Sequence, residues 1–374
     1  MNQPVVAVAN HSQSMKMTPA QSNSNYLQLA LQQAYLGRGS CAPNPAVGAV
    51  IVKDQQILAS GYHQQAGLPH AEIAAMDKLS AAELQGADLY VTLEPCNHRG
   101  KTPACTEAIV KNQIKRVFYG YHDPNPNVAG SGAETLRQHG IDCQHISAEQ
   151  INQFYQSYHY WLHSHLPFVT VKLAMSLDGK VAGPHGQPVQ ITHSSINHFT
   201  QQQRQFTDAI LTTANTVNRD NPQLTARINN ETQKKLIYIL DKNAKLNQQA
   251  QIFNTAKQIV IFHDSDNYSE ANTLNQAQLV RIQSSANQLN LTEILTFIGQ
   301  QGIHDVWVEA GPNLFRSLHQ GHYVNRSYVY IAGKFLGETA LSAFANDFQL
   351  DLKNAKINWR SYAQDACCQI DWEN

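Results

Sequence analysis

The stretches "LPHAEIAAMDKL" (68–79) and "YVTLEPCNHRGKTPAC" (90–105) decide how the first half of the chain folds. The first predicts a helix that begins near its histidine, because apolar residues recur after it with helical spacing. The second begins as a buried strand, continues through a polar loop with two cysteines, and leads into another helix. Together they bring one histidine, one glutamate and two cysteines to the ends of neighbouring elements of an α/β layer.

These side chains predict a catalytic metal site. His70, Cys96 and Cys105 offer the nitrogen and thiolate ligands that zinc prefers, and three protein ligands leave a fourth position open for water. Glu72 would lie beside the metal, where its carboxylate can take a proton from the activated water and return it to a leaving amine. H-x-E followed by P-C-x-x-C is the signature of zinc deaminases, but here eight residues separate the cysteines. The alternative is a core histidine beside two buried thiols.

Outward from these stretches, strands alternate with helices along the chain, which predicts an α/β fold with both sheet faces covered. Strands are predicted at 46–52, 87–94, 115–121, 168–179, 208–217, 235–241, 258–263, 305–311 and 327–333. Helices are predicted at 25–39, 70–79, 103–112, 289–302 and 312–321.

The length of 374 residues favours two domains. The pattern changes around 150–167, where the chain is rich in aromatic residues and histidine. We therefore predict a flexible polar tail over residues 1–24, a zinc-dependent deaminase domain over 25–150, a linker over 151–167, and a second α/β domain over 168–374. Histidines at 159, 163 and 165 in the linker suggest a second metal site, although a half-buried connector is the simpler interpretation.

Composition limits the partners and the compartment. A formal charge of −1 gives no global electrostatic reason to bind nucleic acid or an acidic membrane. No apolar run approaches the ~18 residues of a membrane span, and the first residues lack the apolar core of a signal peptide. Six cysteines in so long a chain favour a reducing compartment, so we expect a cytoplasmic protein. A homo-oligomer remains open.

Four blocks in the first half carry a family resemblance. They are "PNPAVGAVIVKD" (43–54), "GYHQQAGLPHAE" (61–72), "YVTLEPCNHRGKTPAC" (90–105) and "DPNPNVAGSG" (123–132). They resemble the deaminase half of bacterial riboflavin-biosynthesis proteins of the RibD type, in which the long spacing between the cysteines is typical. The resemblance implies a cytidine-deaminase-like three-layer domain that acts on a pyrimidine carrying a phosphoribosylamino group.

The same resemblance suggests substrate contacts in this half. It places Asn44 in the substrate pocket, and the alternative is that Asn44 only forms the turn of its P-N-P sequence. Arg99, Lys101 and Thr102 lie in the loop between the cysteines. Two cations beside the metal predict a phosphate clamp, whereas solvated loop charges are the alternative.

Four blocks in the second half resemble the reductase half of the same family, which has a dihydrofolate-reductase-like fold and uses NADPH. They are "KLAMSLDGKVA" (172–182), "ITHSS" (191–195), "DAILTTANTVNRDNPQLTAR" (208–227) and "VWVEAGPNLFRSL" (306–318). The chain lacks the G-x-G-x-x-G dinucleotide fingerprint. In its place, Gly311-Pro312 connects a strand to a helix whose free N–H groups can bind a phosphate.

The resemblance assigns positions of this chain to the cofactor and to the substrate. The cofactor positions are Met175, Gln190, Thr216, Asp220, Gly311, Pro312, Asn313, Leu314, Phe315, Arg316 and Ser317. The substrate positions are Pro188, Arg204, Leu224, Arg227 and Glu309. Two arginines suit a ribose phosphate, because a guanidinium binds phosphate through two hydrogen bonds.

Several of these positions depart from the family pattern. The family usually reads S-x-W-I-T where this chain reads "PVQIT", with Pro188 for the serine and Gln190 for the tryptophan. Met175 replaces a smaller residue, and Arg219 and Asn221 flank Asp220 where the family usually has other residues. The changes leave NADPH as the expected cofactor and put the activity of the reductase half in question.

These observations predict a bifunctional enzyme of riboflavin synthesis. The first domain would deaminate 2,5-diamino-6-(5-phosphoribosylamino)pyrimidin-4(3H)-one with one zinc ion, and the second would reduce the ribosyl group to ribityl with NADPH. One alternative is an active deaminase with an impaired or non-catalytic reductase-like domain. The other is a nucleic-acid deaminase, which would need a basic and aromatic surface that the neutral composition does not favour.

Overall fold

The computed structural model describes residues 19–97, 103–125, 130–268, 277–285, 288–344 and 348–373. The helices of the N-terminal half are α1 (Pro19–Gly37), α2 (Ala71–Met76), α3 (Ala81–Leu84), α4 (Cys105–Lys111), α5 (Ser131–Gln138) and α6 (Glu149–Ser164). Its strands are β1 (Gly48–Lys53), β2 (Gln56–Tyr62), β3 (Asp88–Val91), β4 (Arg116–Tyr119) and β5 (Asp142–His145).

The N-terminal strands form one sheet in the order β2-β1-β3-β4-β5, and helices cover both of its faces. Successive residues of β1 point to opposite faces, so Ile51 packs in one core with α2, α4 and α5. Val50 packs in the other core, together with Leu27 of α1 and Phe154 of α6. This helix–sheet–helix sandwich confirms the predicted three-layer α/β domain.

The C-terminal half follows with its own helices and strands. Its helices are α7 (Ser194–Phe206), α8 (Ala214–Asp220), α9 (Ile252–Thr255), α10 (Leu291–Gln300) and α11 (Pro312–Gln320). Its strands are β6 (Phe168–Ser176), β7 (Lys180–Pro184), β8 (Ala209–Thr213), β9 (Ala226–Ile228), β10 (Glu231–Gln233), β11 (Leu236–Leu240), β12 (Gln258–His263), β13 (Gln278–Arg281), β14 (Ser284–Ser285), β15 (Gln288–Leu289), β16 (Asp305–Glu309), β17 (Arg326–Ala332), β18 (Ala340–Ser342), β19 (Ala355–Tyr362) and β20 (Asp365–Trp372).

The main C-terminal sheet has the strand order β13-β12-β11-β8-β16-β6-β17-β20-β19. Neighbours from β13 to β17 are parallel, whereas β20 pairs antiparallel with both β17 and β19. Two apolar clusters cover the two faces of this sheet. The carboxyl ends of β6, β8 and β16 therefore meet at one edge, which is where ligands bind in open α/β sheets.

The predicted tail is too long. Helix α1 begins at Pro19, so residues 19–24 of the predicted tail are helical and its residues 1–18 lie outside the described part of the chain. The early turns are held against the sheet because the hydroxyl of Tyr90 donates a 2.7 Å hydrogen bond to the side-chain oxygen of Asn23.

The segment over 151–167, which was predicted to be a linker, does not merely connect the two domains. Most of it belongs to α6, whose Ile151, Phe154, Tyr155 and Tyr158 are buried in the N-terminal core. The aromatic residues that suggested a change of pattern in the sequence are therefore core residues of the first domain, and the second domain begins almost directly after the helix.

The strand predicted over 208–217 ends early. Strand β8 stops at Thr213, and helix α8 follows at once. The Thr213 hydroxyl accepts a 3.2 Å hydrogen bond from the backbone N–H of Thr216 and so caps the new helix. A threonine N-cap inside an apolar run converts the second half of the predicted strand into helix.

Candidate active sites

The three predicted metal ligands lie together. His70 is the residue before α2, Cys96 lies in the loop after β3, and Cys105 is the first residue of α4. The Nδ1 atom of His70 is 3.3 Å from the Cys105 sulfur and 3.5 Å from the Cys96 sulfur. Their candidate ligand atoms all lie within 4.8 Å of one another, and within the described residues they are the one such group of three or more.

This geometry fits zinc. Tetrahedral coordination with zinc–sulfur bonds of about 2.3 Å and zinc–nitrogen bonds of about 2.0 Å separates sulfur from nitrogen by about 3.5 Å. Both nitrogen–sulfur distances in the cluster are close to this value. The histidine and two thiols also match the donor set of catalytic zinc sites, which leave the fourth position open.

The two thiols differ in acidity. Hydrogen bonds from Cys105 and His70 lower the pKa of Cys96, while the hydrogen bond to Cys96 and burial raise the pKa of Cys105. The backbone N–H of Cys105 also points to the Cys96 sulfur at 3.4 Å. Cys96 is therefore arranged to hold negative charge on its sulfur, which is the state in which cysteine binds a metal.

Glu72 is buried beside the ligands, with 3% of its surface exposed. Burial raises the pKa of its carboxyl, and the neighbouring Cys96 raises it further. A raised pKa makes a carboxylate a stronger base than an ordinary glutamate, which suits a group that must accept a proton and then return it. The structure thus places Glu72 where the sequence predicted a proton shuttle.

The loop between the cysteines is tied to its surroundings by Asn97, which the sequence analysis did not identify. Its side-chain oxygen accepts a 2.8 Å hydrogen bond from the Thr106 hydroxyl, and its amide donates a 2.9 Å hydrogen bond to Thr135. These bonds connect the residue after Cys96 to α4 and α5. The predicted phosphate clamp of Arg99, Lys101 and Thr102 lies outside the described residues.

Asn44 also points towards the metal ligands. Its amide donates a 3.1 Å hydrogen bond to Nε2 of His63, whose Nδ1 donates a 3.0 Å bond to the carbonyl of Pro69. The His63 ring lies edge-on to that of His70, with ring centres 5.4 Å apart. Burial lowers the pKa of His63, and a ring that accepts at Nε2 while it donates at Nδ1 is the neutral form. His63 stood in the quoted "GYH" block but was not recognised as part of the site.

In the C-terminal half, the predicted substrate residues Arg204 and Glu309 form a buried pair. The guanidinium donates two hydrogen bonds, of 2.6 and 2.9 Å, to the two carboxylate oxygens. Its third nitrogen donates to the carbonyl of Thr225, and the Trp307 indole also donates to Glu309. Burial of the carboxyl opposes ionisation, but the charge and hydrogen bonds of Arg204 outweigh it and hold the Glu309 pKa at about 2.

Lys172 joins this pair from the neighbouring strand. It is the register partner of Glu309 across β6 and β16, and its ammonium group lies 5.3 Å from the centre of the Tyr330 ring. Burial lowers its pKa, and the charge of Glu309 partly offsets that effect. In the sequence, Lys172 is only one residue of the predicted strand over 168–179, because nothing local shows that it lies beside Glu309.

The predicted cofactor segment surrounds the start of α11. Gly311 is the residue before the helix, Pro312 is its first residue, and a Cβ atom added at Gly311 would meet nothing within 4 Å. Arg316 has a buried Nε atom without a partner among the described residues. An open helix start with an unpaired guanidinium nitrogen one turn further on fits a phosphate group, so these residues fit a dinucleotide cofactor.

Other predicted cofactor positions differ in what they can offer. Leu314 and Phe315 are buried in the core, so they present only backbone atoms, whereas Asn313 is exposed and the Ser317 hydroxyl lies 3.4 Å from Gln288. Thr216 and Asp220 lie on α8, which starts from the same edge of the sheet, and burial raises the pKa of Asp220.

The remaining substrate and cofactor positions are less closely grouped. Leu224 is a core residue, and Arg227 is exposed with one hydrogen bond to Gln223. Pro188 and Gln190 are exposed in the "PVQIT" segment, where the Gln190 carbonyl accepts a 2.6 Å hydrogen bond from Lys334. Met175 packs at the border of the C-terminal core.

Two family models match the chain. The cytidine and deoxycytidylate deaminase zinc-binding region matches residues 20–121, and the RibD C-terminal domain matches residues 167–368. Riboflavin biosynthesis protein RibD of Aquifex aeolicus (strain VF5) is 35% identical over 319 residues, which cover 84% of this chain and 88% of the relative. The RibD protein of Escherichia coli (strain K12) is 35% identical over 334 residues, covering 84% and 89%.

The chain belongs to the RibD family of riboflavin-biosynthesis proteins. Solved structures agree with this assignment. RibD of Acinetobacter baumannii, form 1, has a TM-score of 0.82 at 31% identity, covering 95% of this chain and 100% of that one. A diaminohydroxyphosphoribosylaminopyrimidine deaminase/5-amino-6-(5-phosphoribosylamino)uracil reductase from Thermotoga maritima has a TM-score of 0.82 at 30% identity, covering 95% and 99%.

As a RibD-family protein, the chain is a bifunctional enzyme of riboflavin biosynthesis, with an N-terminal cytidine-deaminase-like domain and a C-terminal reductase domain. The deaminase domain uses zinc and the reductase domain uses NADPH, as predicted. Within the described residues, none of the helices combines the length and apolarity needed to cross a bilayer.

Proposed function

We propose that the N-terminal domain deaminates 2,5-diamino-6-(5-phosphoribosylamino)pyrimidin-4(3H)-one and that the C-terminal domain then reduces the ribosyl group of the product to ribityl. The observation that carries the first step is the buried Glu72 carboxyl beside the histidine and two cysteines. The name of the Thermotoga maritima relative supports both substrates, because it contains the deaminase and the reductase activity in that order.

In the first step, His70, Cys96 and Cys105 would hold zinc, which would lower the pKa of the attacking water. Glu72 takes a proton from the attacking water and delivers it to the ring nitrogen beside the reacting carbon, while the hydroxyl group adds to that carbon. It then takes the proton of this hydroxyl group and delivers it to the exocyclic nitrogen, so that the C–N bond breaks, ammonia leaves, and a carbonyl replaces the amine. The raised pKa of Glu72 suits this double role, since the same carboxyl must be a base and then an acid.

Asn44 holds the pyrimidine in this step. Its amide nitrogen is bonded to His63, which leaves the side-chain oxygen to accept a hydrogen bond from an N–H group of the base. Neutral His63 fixes that orientation, because its Nδ1–H is already donated to the Pro69 carbonyl. The turn role of the P-N-P sequence and the substrate role are therefore compatible.

In the second step, Gly311, Pro312 and Arg316 would hold NADPH, which would supply the hydride for C1 of the ribosyl group. The proton that the ring oxygen needs when the ring opens comes from Lys172, whose lowered pKa makes it a better acid than an ordinary lysine. Glu309 lies beside Lys172 across the two strands and, with Arg204, lines the substrate pocket. All of the Arg204 nitrogens bond within the protein, so the exposed Arg227 is the arginine left to bind the substrate phosphate.

An assay of NADPH oxidation tests the second activity. The purified protein is mixed with the deaminated intermediate and NADPH, and the absorbance of NADPH is followed against a reaction without the intermediate. Substrate-dependent oxidation is expected. Absence of oxidation would support the alternative of a deaminase with a non-catalytic reductase-like domain. The exposed Pro188 and Gln190, which replace the serine and tryptophan usual in the family, are the reason to consider this alternative.

The finer partner and location assignments also stay proposals. We propose a cytoplasmic enzyme with a small phosphorylated pyrimidine as its partner, without nucleic acid or membrane binding. The six cysteines support a reducing compartment, since each is a free thiol. Fractionation of the host cells tests the location, titration with single-stranded oligonucleotides tests nucleic-acid binding, and light scattering tests for a homo-oligomer.

A further inference from the structure

A turn of the C-terminal domain reaches the loop that carries Asn44. The Nε2 atom of His304 donates a 2.9 Å hydrogen bond to the carbonyl of Pro43, the residue directly before Asn44. Gly302 lies against the same proline, because a Cβ atom added at this glycine would be only 2.5 Å from the Cβ of Pro43. The second domain therefore holds the proline through one hydrogen bond and one close backbone contact.

His304 is buried, packs against two aromatic side chains and is hydrogen-bonded through its backbone. Only 6% of its surface is exposed, and its ring packs against Trp161 and Tyr158 of α6, with ring centres 4.6 and 5.1 Å away. Its backbone N–H donates a 2.9 Å hydrogen bond to the Asp208 carboxylate, and its Nδ1 atom lies 3.9 Å from the same group. Because the His304 ring is fixed in this way, its hydrogen bond also fixes the position of the Pro43 carbonyl.

The constraint continues from Pro43 into the deaminase site. The backbone N–H of Asn44 donates a 2.9 Å bond to the Cys41 carbonyl, and its side chain donates to His63. Cys41 is buried and its thiol donates to the His63 carbonyl at 2.9 Å. A continuous set of hydrogen bonds thus runs from the second domain, through the turn at Pro43, to the side chain beside His70.

The position of His304 separates this connection from the reductase site. His304 directly precedes β16, whereas Glu309 ends that strand. Five residues of extended chain place them about 16 Å apart along the strand. A change at His304 can therefore be read in the deaminase reaction while the reductase reaction in the same molecule reports on the integrity of the second domain.

We propose that His304, a residue of the reductase domain, is a positioning residue for the deaminase reaction and acts by fixing the Pro43 carbonyl and thereby the side chain of Asn44. This inference rests on the proposed contact between Asn44 and the pyrimidine. It makes the reductase domain part of the deaminase pocket and gives the fusion of the two domains a structural reason that does not require transfer of substrate between them.

The test compares deamination kinetics of the full-length wild type with those of His304→Ala and His304→Gln. Loss of one hydrogen bond from the substrate loop is expected to raise the KM for deamination about fivefold with little change in kcat. Zinc content and the reductase kcat and KM should stay at wild-type values. The glutamine keeps an N–H donor near the position of Nε2, so His304→Gln should restore most of the lost affinity.

Gln156→Ala is the matched control. It removes another hydrogen bond between the two domains, the 3.0 Å bond that Arg326 donates to Gln156, but this bond does not involve the Pro43 turn. Its deaminase KM should stay at the wild-type value. A rise equal to that of His304→Ala would mean that any loosening of the domain contact has the same effect, and the proposal would be overturned.

A double-mutant cycle distinguishes a failure of the proposed role of Asn44 from a failure of the proposed role of His304. Asn44→Ala alone should raise the KM for deamination, and adding His304→Ala should change it little further, because the two residues act through one contact. If Asn44→Ala leaves the KM unchanged, the proposed role of Asn44 fails. If Asn44→Ala raises the KM and His304→Ala does not, the role of Asn44 stands and the positioning role of His304 is refuted. Additive effects, or equal losses of both activities in both His304 variants, would also refute it.

Discussion

The two active sites are built in different ways. In the deaminase site, His70 and Cys105 are 35 positions apart, and all three zinc ligands lie at the ends of elements within one short stretch of chain. In the reductase site, Arg204 and Glu309 are 105 positions apart and meet because helix α7, which carries Arg204, packs against the sheet where β16 ends at Glu309. The first site can be recognised from a motif, whereas the second needs the sheet order before its residues can be seen together.

The two sites also differ in what holds their charges. The deaminase cluster presents sulfur and nitrogen atoms that converge on one point and fit a metal. The reductase cluster balances its own charges, since Glu309 lies between two cations and its pKa is held at about 2. One site should therefore depend on an added ion and the other on an internal ion pair.

Removal of zinc should give the largest difference between the sites. Dialysis against a chelator is expected to abolish deamination, because the water then loses its activating metal. Reduction of the deaminated intermediate should continue, since Lys172, Arg204 and Glu309 do not bind the metal. Both activities are measured before and after dialysis, with zinc content determined on the same samples. Equal loss of both activities would show that the two sites are not independent, and added zinc should restore deamination.

Glu72→Gln should have the next largest effect. The amide can neither take nor return a proton, so deamination is expected to fall on the order of a thousandfold while zinc stays bound. Ammonia release and zinc content provide the measurements. Glu83→Gln changes an exposed glutamate of the same domain whose carboxylate accepts hydrogen bonds from Ser80 at the start of α3, and it should leave deamination unchanged. Retained activity in Glu72→Gln would remove this residue from the mechanism.

Lys172→Met should impair reduction and leave deamination intact, which is the opposite of the effect expected for Glu72→Gln. We expect reduction to fall on the order of a hundredfold, because the proton for the ring oxygen is missing, and deamination to remain. NADPH oxidation with the deaminated intermediate and ammonia release from the first substrate are measured side by side. Lys356→Met, at an exposed lysine of β19, is the control. A variant with normal NADPH oxidation would show that Lys172 is only a structural neighbour of Glu309.

The smallest predicted effect concerns the pH dependence of stability. Because Glu309 has a pKa of about 2 in the folded protein and an ordinary value of 4.5, its ion pair contributes fully above pH 4.5 and is lost as the pH falls towards 2. Between pH 5 and pH 3 the wild type should lose on the order of 2 kcal/mol that Glu309→Gln does not lose. Urea unfolding followed by tryptophan fluorescence measures both proteins at each pH. Parallel pH curves would contradict the assigned pKa.

Much of the fold could be predicted from local patterns. The strand at 46–52 and the helix that carries Leu27 follow from apolar runs and helical periodicity, and both are in the three-layer core. Two predictions, the linker and the full length of the strand over 208–217, were wrong because contacts in the folded chain determine the structure there. The aromatic residues of α6 were read as a linker because burial against a sheet is not visible in sequence, and Thr213 ended a strand by capping a helix.

The residues of the candidate sites likewise differ in whether local spacing or tertiary structure shows their position. The spacing of His70, Glu72, Cys96 and Cys105 was sufficient to predict zinc and deamination, because these residues lie at the ends of consecutive elements whose order follows the chain. Leu224, Leu314 and Phe315 were assigned to ligands by position, yet their side chains lie in the core. Family position alone does not show which atoms of a residue face a ligand.

The sequence by itself determined the α/β class and the metal donors with their proton shuttle, since each depends on residue types at short spacing, and its resemblance to the RibD family implied the reductase half. Only the tertiary structure brought Lys172 beside Glu309 and His304 against Pro43. The physical reason is that strand order and domain contact are set by the burial of many side chains at once. A hydrogen bond across 261 positions of the chain leaves no periodic or local signal in the sequence.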